Sequence, residues 1–106
     1  MADDERSDVE AGAALLKALA SPLRLAIVLE LQHEARCVHE LVEALGASQP
    51  LVSQNLRTLR EAQVIEGTRR GREIEYRLKD DHVLHIVVDA VAHATERGDD
   101  RRGESG

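Results

Sequence analysis

"CVHELVEALGASQPLVSQNLRTLREAQVI", residues 37–65, decides the fold. Its first part predicts a short helix over about Val38–Leu45, stopped by Gly46, because a glycine just past a helix end takes the left-handed conformation that closes it. Ser48 is placed to cap the next element. Pro50 then falls in a first helical turn, where its missing N–H is no loss. Leu51, Val52, Leu56 and Leu59 recur on one side, which predicts a second helix over about Gln49–Ala62. A short helix, the turn "GAS" and a polar-faced helix have the proportions of a helix-turn-helix.

Upstream, Ala14, Leu15, Ala18 and Leu19 repeat at helical spacing between Val9 and Ala20. Ser21 as N-cap and Pro22 in the first turn then open a helix over roughly Pro22–Glu34, with Leu25, Ile27, Val28, Leu29 and Leu31 available for burial. Downstream, "VIEGTRRGREIEYRL" (64–78) changes from helical period to alternation, with Ile74, Tyr76 and Leu78 on one side. This predicts a β-hairpin with a basic tip at Arg69, Arg70, Gly71 and Arg72. Asp80 or Asp81 caps a last helix, "DDHVLHIVVDAVAHATE" (80–96). The expected fold is mostly α with a two-stranded antiparallel β wing, a winged helix-turn-helix. One domain, 9–97, is expected between an acidic tail, 1–8, and a second tail, 98–106, both disordered.

Composition narrows the class. In 106 residues with 42% hydrophobic content, one tyrosine is the only aromatic residue. The core must therefore be aliphatic, which suits packed helices, and a core this small gains from burying more surface between two copies. A homodimer joined through the N- and C-terminal helices is expected. No apolar run approaches the ~18 residues of a membrane span, and the N-terminus lacks a signal peptide's basic and apolar regions. The expected location is the cytoplasm, with no membrane partner. Cys37 is the single cysteine, so no intrachain disulfide forms.

The formal net charge of -6 argues against a nucleic-acid partner only until it is localised. Residues 1–10 carry five acids against Arg6, whereas residues 53–72 carry Arg57, Arg60, Arg69, Arg70 and Arg72 against Glu61 and Glu66, a local excess of +3. Phosphate responds to the local charge. On the fourth helix Ser53, Gln54, Asn55, Arg57 and Arg60 form the polar face, with Ser48 and Gln49 at its start. Gln and Asn suit adenine edges, and Arg suits guanine or phosphate. Alone, such a face reads first as a solvated one. The basic hairpin that follows alters the balance, since it can straddle the backbone and reach the adjacent minor groove of double-stranded DNA.

The last helix mixes ligands with apolar residues. At about 100° per residue, His82, His85, Asp89, His93 and Glu96 fall within about 80° of one another. His82 and His93 lie roughly 16 Å apart along the axis, too far to share one ion on one chain. If two copies pack antiparallel about a two-fold axis near Val87 and Val88, position 82 lies level with 93 and position 80 with 96. Asp80 and His82 of one chain then meet Glu96 and His93 of the other, a four-donor set suited to tetrahedral Zn²⁺. Co²⁺ and Ni²⁺ accept the same donors. His85 and Asp89 obey the same relation and are expected as supporting or additional ligands. The competing reading is a polar rim around a helical dimer.

"LKALASPLRLAIVLEL" (16–31), residues 37–65 and "GREIEYRL" (71–78) together resemble the ArsR/SmtB family of winged helix-turn-helix repressors, over about residues 13–97. The resemblance implies homodimers that occupy operator DNA and leave it when an inducer, usually a metal ion, binds. It also implies a zinc-sensing branch with Asp-x-His and His-x-x-Glu on the last helix, matched by Asp80, His82, His93 and Glu96. Asn55 stands where relatives carry histidine in "SQHL", which bears on operator preference. "CVHE" resembles the start of the family's other metal site, completed by thiol or imidazole ligands from the N-terminal arm. This arm has neither, leaving local chelation by Cys37, His39 and Glu40 as the alternative. The resulting expectation is a metal-responsive repressor. A regulator of the same fold sensing oxidation of Cys37 or a small molecule is the second reading. A hydrolytic metalloenzyme needs an open coordination position, a base and a cleft, and four ligands closing a rim site leave no room for them, so no enzyme is expected.

Overall fold

The chain folds in the order α1 (Asp3–Leu19), α2 (Pro22–Leu31), β1 (Arg36–Cys37), α3 (Val38–Leu45), α4 (Gln49–Glu61), β2 (Ile65–Arg70), β3 (Glu73–Leu78) and α5 (Asp81–Ser105). The computed structural model describes the backbone of residues 2–105 and the side chains of residues 2–96. Caps fix the helix-turn-helix. Ser21 Oγ accepts from the Arg24 N–H (3.3 Å) and Ser48 Oγ from the Leu51 N–H (3.4 Å), each followed by a first-turn proline. Gly46 closes α3 in the left-handed region (φ 63°), where a side chain is strained.

At both ends the helices run further than their sequence periodicity predicts. The first helix begins at Asp3, inside the stretch read as an acidic tail, because Asp3, Asp4 and Glu5 in its first turn oppose the helix dipole favourably. The last helix carries its backbone to Ser105, past residue 97, and no proline interrupts that stretch. The side chains of 97–105 lie outside the described residues.

The two-stranded antiparallel wing, β2 and β3, is joined by a short third strand, giving the order β1-β3-β2. Arg36 and Cys37 pair antiparallel with Tyr76 and Glu75. The hairpin pairs Ile65 with Leu78 through to Arg70 with Glu73, leaving Gly71 and Arg72 as a two-residue turn. Gly71 has φ 64°, as the first position of a tight type II′ hairpin turn requires. Tyr76 is buried while Ile74, nearer the tip, is exposed, so the wing leaves the core as it extends.

Ile27 and Val28 of α2, Leu41 of α3, Val52, Leu56 and Leu59 of α4, and Val64 and Ile65 entering the wing form the core. The last helix contributes Val83 and Val87. Leu16 stays 55% exposed, and Ile86, Val88 and Val91 are also exposed. Leu16, Leu19, Leu25, Ile86 and Ala90 border an apolar cleft of about 180 Å³ between α1, α2 and α5. No single helix among the described residues is long and apolar enough to cross a membrane.

Candidate DNA interface and metal-ligand clusters

Burial of Val52, Leu56 and Leu59 rotates α4 so that Ser53, Gln54, Arg57 and Arg60 face solvent. Ser53, Gln54 and Arg57 line one shallow depression with Pro50. Ser48 and Gln49 are exposed at the start of the helix, Ser48 also serving as its cap. Among the described residues, Arg57, Arg60, Arg69 and Arg72 have no carboxylate within ion-pair distance, and Arg70 meets Glu75 at 3.4 Å. Unpaired guanidinium groups on one exposed helix and one hairpin tip form a surface matched to phosphate.

Asn55 does not join them. Only 8% exposed, it turns inward. Its Oδ1 accepts from Arg24 Nη1 (3.0 Å) and its Nδ2 donates to the Leu51 carbonyl (2.8 Å). Arg24 Nε also donates to the Ala18 carbonyl at the end of α1 (2.5 Å). The expected base-reading role is corrected for a physical reason: a buried amide must satisfy its donors and acceptor inside the protein. What Asn55 does is brace α4 against α1 and α2 through Arg24, a residue that sequence reasoning passed over as one polar side chain among helix apolars.

On α5, burial of Val83 and Val87 places His82, His85, Asp89, His93 and Glu96 on exposed surface. The His82 side chain is 90% exposed. Asp80 Oδ1 accepts from the His82 N–H (2.9 Å) and lies 3.7 Å from His82 Nδ1, so these two donors are already adjacent. The structure brings neither of them to His93 or Glu96 within one chain, as the axial separation requires.

A second cluster forms where α3 begins. Cys37 is buried, and its Sγ donates to Glu73 Oε2 (3.4 Å); His39 Nδ1 lies 3.0 Å from Glu73 Oε1. Glu40, expected beside Cys37 as a ligand, is engaged otherwise. Its Oε1 accepts from the Cys37 N–H (2.8 Å), and its other oxygen lies 3.9 Å from Arg36, which also pairs with Glu30 and Glu34. The Cys37 hydrogen bond, chiefly, together with Arg36 holds the Glu40 carboxyl below its ordinary range. Burial first, then the Glu73 carboxylate, pushes the Cys37 thiol up to about 11. Glu73 is the member the sequence did not give, since its place depends on β1 pairing with β3.

Residues 21–66 match the family model described as "Bacterial regulatory protein, arsR family". Over 91 residues the chain is 58% identical to the HTH-type transcriptional repressor SmtB of Mycobacterium tuberculosis, covering 86% of this chain and 67% of that one. The chain belongs to the ArsR family. This ArsR-family chain is also 42% identical over 82 residues to the HTH-type transcriptional regulator NmtR of Mycobacterium tuberculosis, covering 77% and 68% of the two chains. Its fold matches a homodimeric winged helix-turn-helix DNA-binding domain of Mycobacterium bovis with TM-score 0.80 at 27% identity, covering 91% and 89%. As a member of a family of transcriptional regulators, it is not an enzyme.

Two outcomes follow for this ArsR-family regulator. Asn55→Leu, which takes the acceptor from Arg24 Nη1 and the donor from the Leu51 carbonyl, is expected to lower unfolding stability by about 1–3 kcal/mol, measured by denaturant titration at fixed protein concentration. An exposed base-reading side chain would change it by only about 0.5 kcal/mol or less. For Cys37, the thiolate is the reactive form, so the alkylation rate of the metal-free protein should rise with pH towards an inflection near 11, not near the ordinary 9.0. An inflection at or below the ordinary value contradicts the buried, carboxylate-facing thiol.

Proposed function

We propose that this chain is a cytoplasmic, homodimeric transcriptional repressor that occupies operator DNA and is released when a divalent metal, Zn²⁺ in the first instance, binds between the two C-terminal helices. The observation that carries the reading is the orientation of α5. Val83 and Val87 fasten one side of the helix to the core, and the side bearing His82, His85, Asp89, His93 and Glu96 faces outward beside exposed Ile86 and Val91. An apolar surface edged by imidazoles and carboxylates, on the side of the helix left exposed among the described residues, suits a self-complementary contact.

In an antiparallel pairing, Asp80 and His82 of one chain meet His93 and Glu96 of the second at each of two symmetric sites. The donor chemistry fits zinc: two imidazoles and two carboxylates make a closed tetrahedral set, and Co²⁺ or Ni²⁺ are the alternatives. When bound, the ion supplies a cross-link between chains. Asp80 sits against His82 and orients it, and His85 and Asp89, level with one another across the same axis, are placed to support the imidazoles by hydrogen bonding. On the DNA side, Gln54 and Arg57 present the base-contacting edge of α4, with Ser48, Gln49, Ser53 and Arg60 around it. Arg69, Arg70 and Arg72 follow the phosphates from the wing. The buried, protonated Cys37 thiol weighs against the reading in which its oxidation is the signal.

Arg57→Ala should weaken operator binding and reduce the slope of log K against log salt by about one unit, as loss of one phosphate contact does. An unchanged affinity and slope, measured by fluorescence anisotropy across salt concentrations, would remove α4 from the interface.

His82→Ala and His93→Ala should each give a folded dimer that binds the operator but no longer leaves it on adding zinc. Mixing the two variants sharpens the test. In the heterodimer one site loses both histidines and the other retains all four donors, so about one tight site per heterodimer is expected. Ligand sets confined to single chains would leave no intact site, and isothermal titration of the mixture would find none.

A further inference from the structure

We propose that Arg24 and Asn55 are positioning residues for base reading: by fixing the rotation of α4 about its own axis, they decide how well an operator is told from other duplex DNA, and not how tightly DNA in general is held. In the DNA-binding reading above, on which this rests, Gln54 and Arg57 meet the bases; Arg24 and Asn55 aim them. Neither of the two lies on the outward face. Asn55 is 8% exposed, and Arg24 is half-buried in the first turn of α2.

Arg24 joins three helices. Its backbone N–H is fixed by the Ser21 cap (3.3 Å), its Nε donates to the Ala18 carbonyl in the last turn of α1, and its Nη1 donates to Asn55 Oδ1 (3.0 Å). The last turn of a helix is where carbonyls lack partners and a cation is favoured, so one guanidinium closes α1 while holding α4. Among the described residues no carboxylate lies within ion-pair distance of Arg24. Its bonds therefore go to neutral oxygens of defined direction. Asn55 completes the tie by donating Nδ2 to the Leu51 carbonyl (2.8 Å), which fixes the plane of its amide.

Apolar packing leaves this rotation loosely set. Val52, Leu56 and Leu59 hold α4 by contacts that have no direction, and Leu51, on the flank beyond Asn55, is 46% exposed. At about 100° per residue Asn55 thus stands at the edge of the buried arc, where a directional bond resists turning. On a helix of radius about 5–6 Å with its side chains, a turn of about 20° carries the outer atoms roughly 2 Å. That shift breaks a base contact, whose donor and acceptor must stand about 2.7–3.2 Å apart. It alters the pull between arginine and phosphate far less, since that attraction falls only with the inverse of distance. Gln54, next to Asn55, and Arg57, on the following turn, are the exposed side chains such a turn would misdirect.

The test measures binding of the full chain, by fluorescence anisotropy, to two duplexes of equal length: one selected by the wild type from a random pool, and one of unrelated sequence. Asn55→Leu should weaken binding to the selected duplex at least about tenfold, the size of one lost base contact, while affinity for the unrelated duplex stays within about twofold and the salt slope is unchanged. Arg24→Lys should do the same, because it keeps the charge but cannot hold the Ala18 carbonyl and Asn55 in one planar fork. It also disturbs the core less, so it carries the test if Asn55→Leu loses its helical circular dichroism. The double variant should lose no more discrimination than either single one, as residues acting through one shared contact do. A wild type that selects no duplex overturns the DNA-binding reading and this proposal together. Discrimination unchanged in Arg24→Lys, or an equal loss on both duplexes, overturns this proposal alone.

Discussion

The contact on which the rest depends is the burial of Val83 and Val87 of α5 against the core; Val87 is 1% exposed. A helix can bury one stripe in its own chain, and once those two valines are fixed, the other residues of α5 up to Glu96 have their directions assigned. His82, His93 and the residues between them at the same azimuth turn away from the core. Ile86, Val88 and Val91 are left in water at a cost of roughly 25 cal/mol per Å² of apolar surface. In the proposed dimer, covering that surface and bringing the histidines of two chains level are one event.

The DNA-facing half is set by a similar economy of faces. Val52, Leu56 and Leu59 commit one side of α4 to the core, and Asn55 extends the commitment beyond the apolar residues by closing hydrogen bonds with Arg24 and Leu51. The guanidinium of Arg24 reaches both Ala18 at the end of α1 and Asn55 on α4. Packing alone tolerates small rotations of a helix, whereas a buried amide satisfied on both its atoms tolerates few. The polar face that remains is thereby held in one orientation, and among the described residues Arg57 and Arg60 of α4 and Arg69 and Arg72 of the wing stay free of carboxylates despite the acidic chain.

Elements with strong local signals were legible in the sequence. The serine–proline starts of α2 and α4, the glycine at the end of α3 and the alternation through Ile74, Tyr76 and Leu78 each state a backbone preference within a few residues. What was not legible was carried by partners distant along the chain. A strand of two residues, Arg36–Cys37, has no period to detect, and without it Glu73 has no reason to lie beside Cys37. Asn55 reads as polar and therefore exposed until Arg24 is known to sit opposite. Glu40, three residues from Cys37, was the natural local ligand by spacing, yet that spacing is also the geometry by which a carboxylate reaches back to a helix's first N–H. The pattern behind the proposed α5 ligands is local for the opposite reason: if two copies pack about a two-fold axis, the axis turns sequence numbers into heights, and a nonlocal site would leave a local pattern.

Coupling between the proposed metal and DNA sites then becomes a question of rigidity. A ligand shifts an equilibrium only by its differential affinity for the two states, and coupling free energies of this kind are typically about 1–3 kcal/mol and reciprocal. Such a quantity survives transmission only if intervening contacts do not absorb it. From α5 the route passes through Val83 and Val87 into α2, and from Arg24 on α2 into Asn55 on α4, a path of buried packing followed by paired hydrogen bonds. A change in the angle between the two α5 helices would therefore move each recognition helix with its subunit as a rigid body. In the proposed complex both recognition helices would enter successive major grooves about 34 Å apart, so a small rotation at the dimer axis would be amplified at the DNA. The wing, joined to this body through β1 and the cluster at Cys37, would move with it.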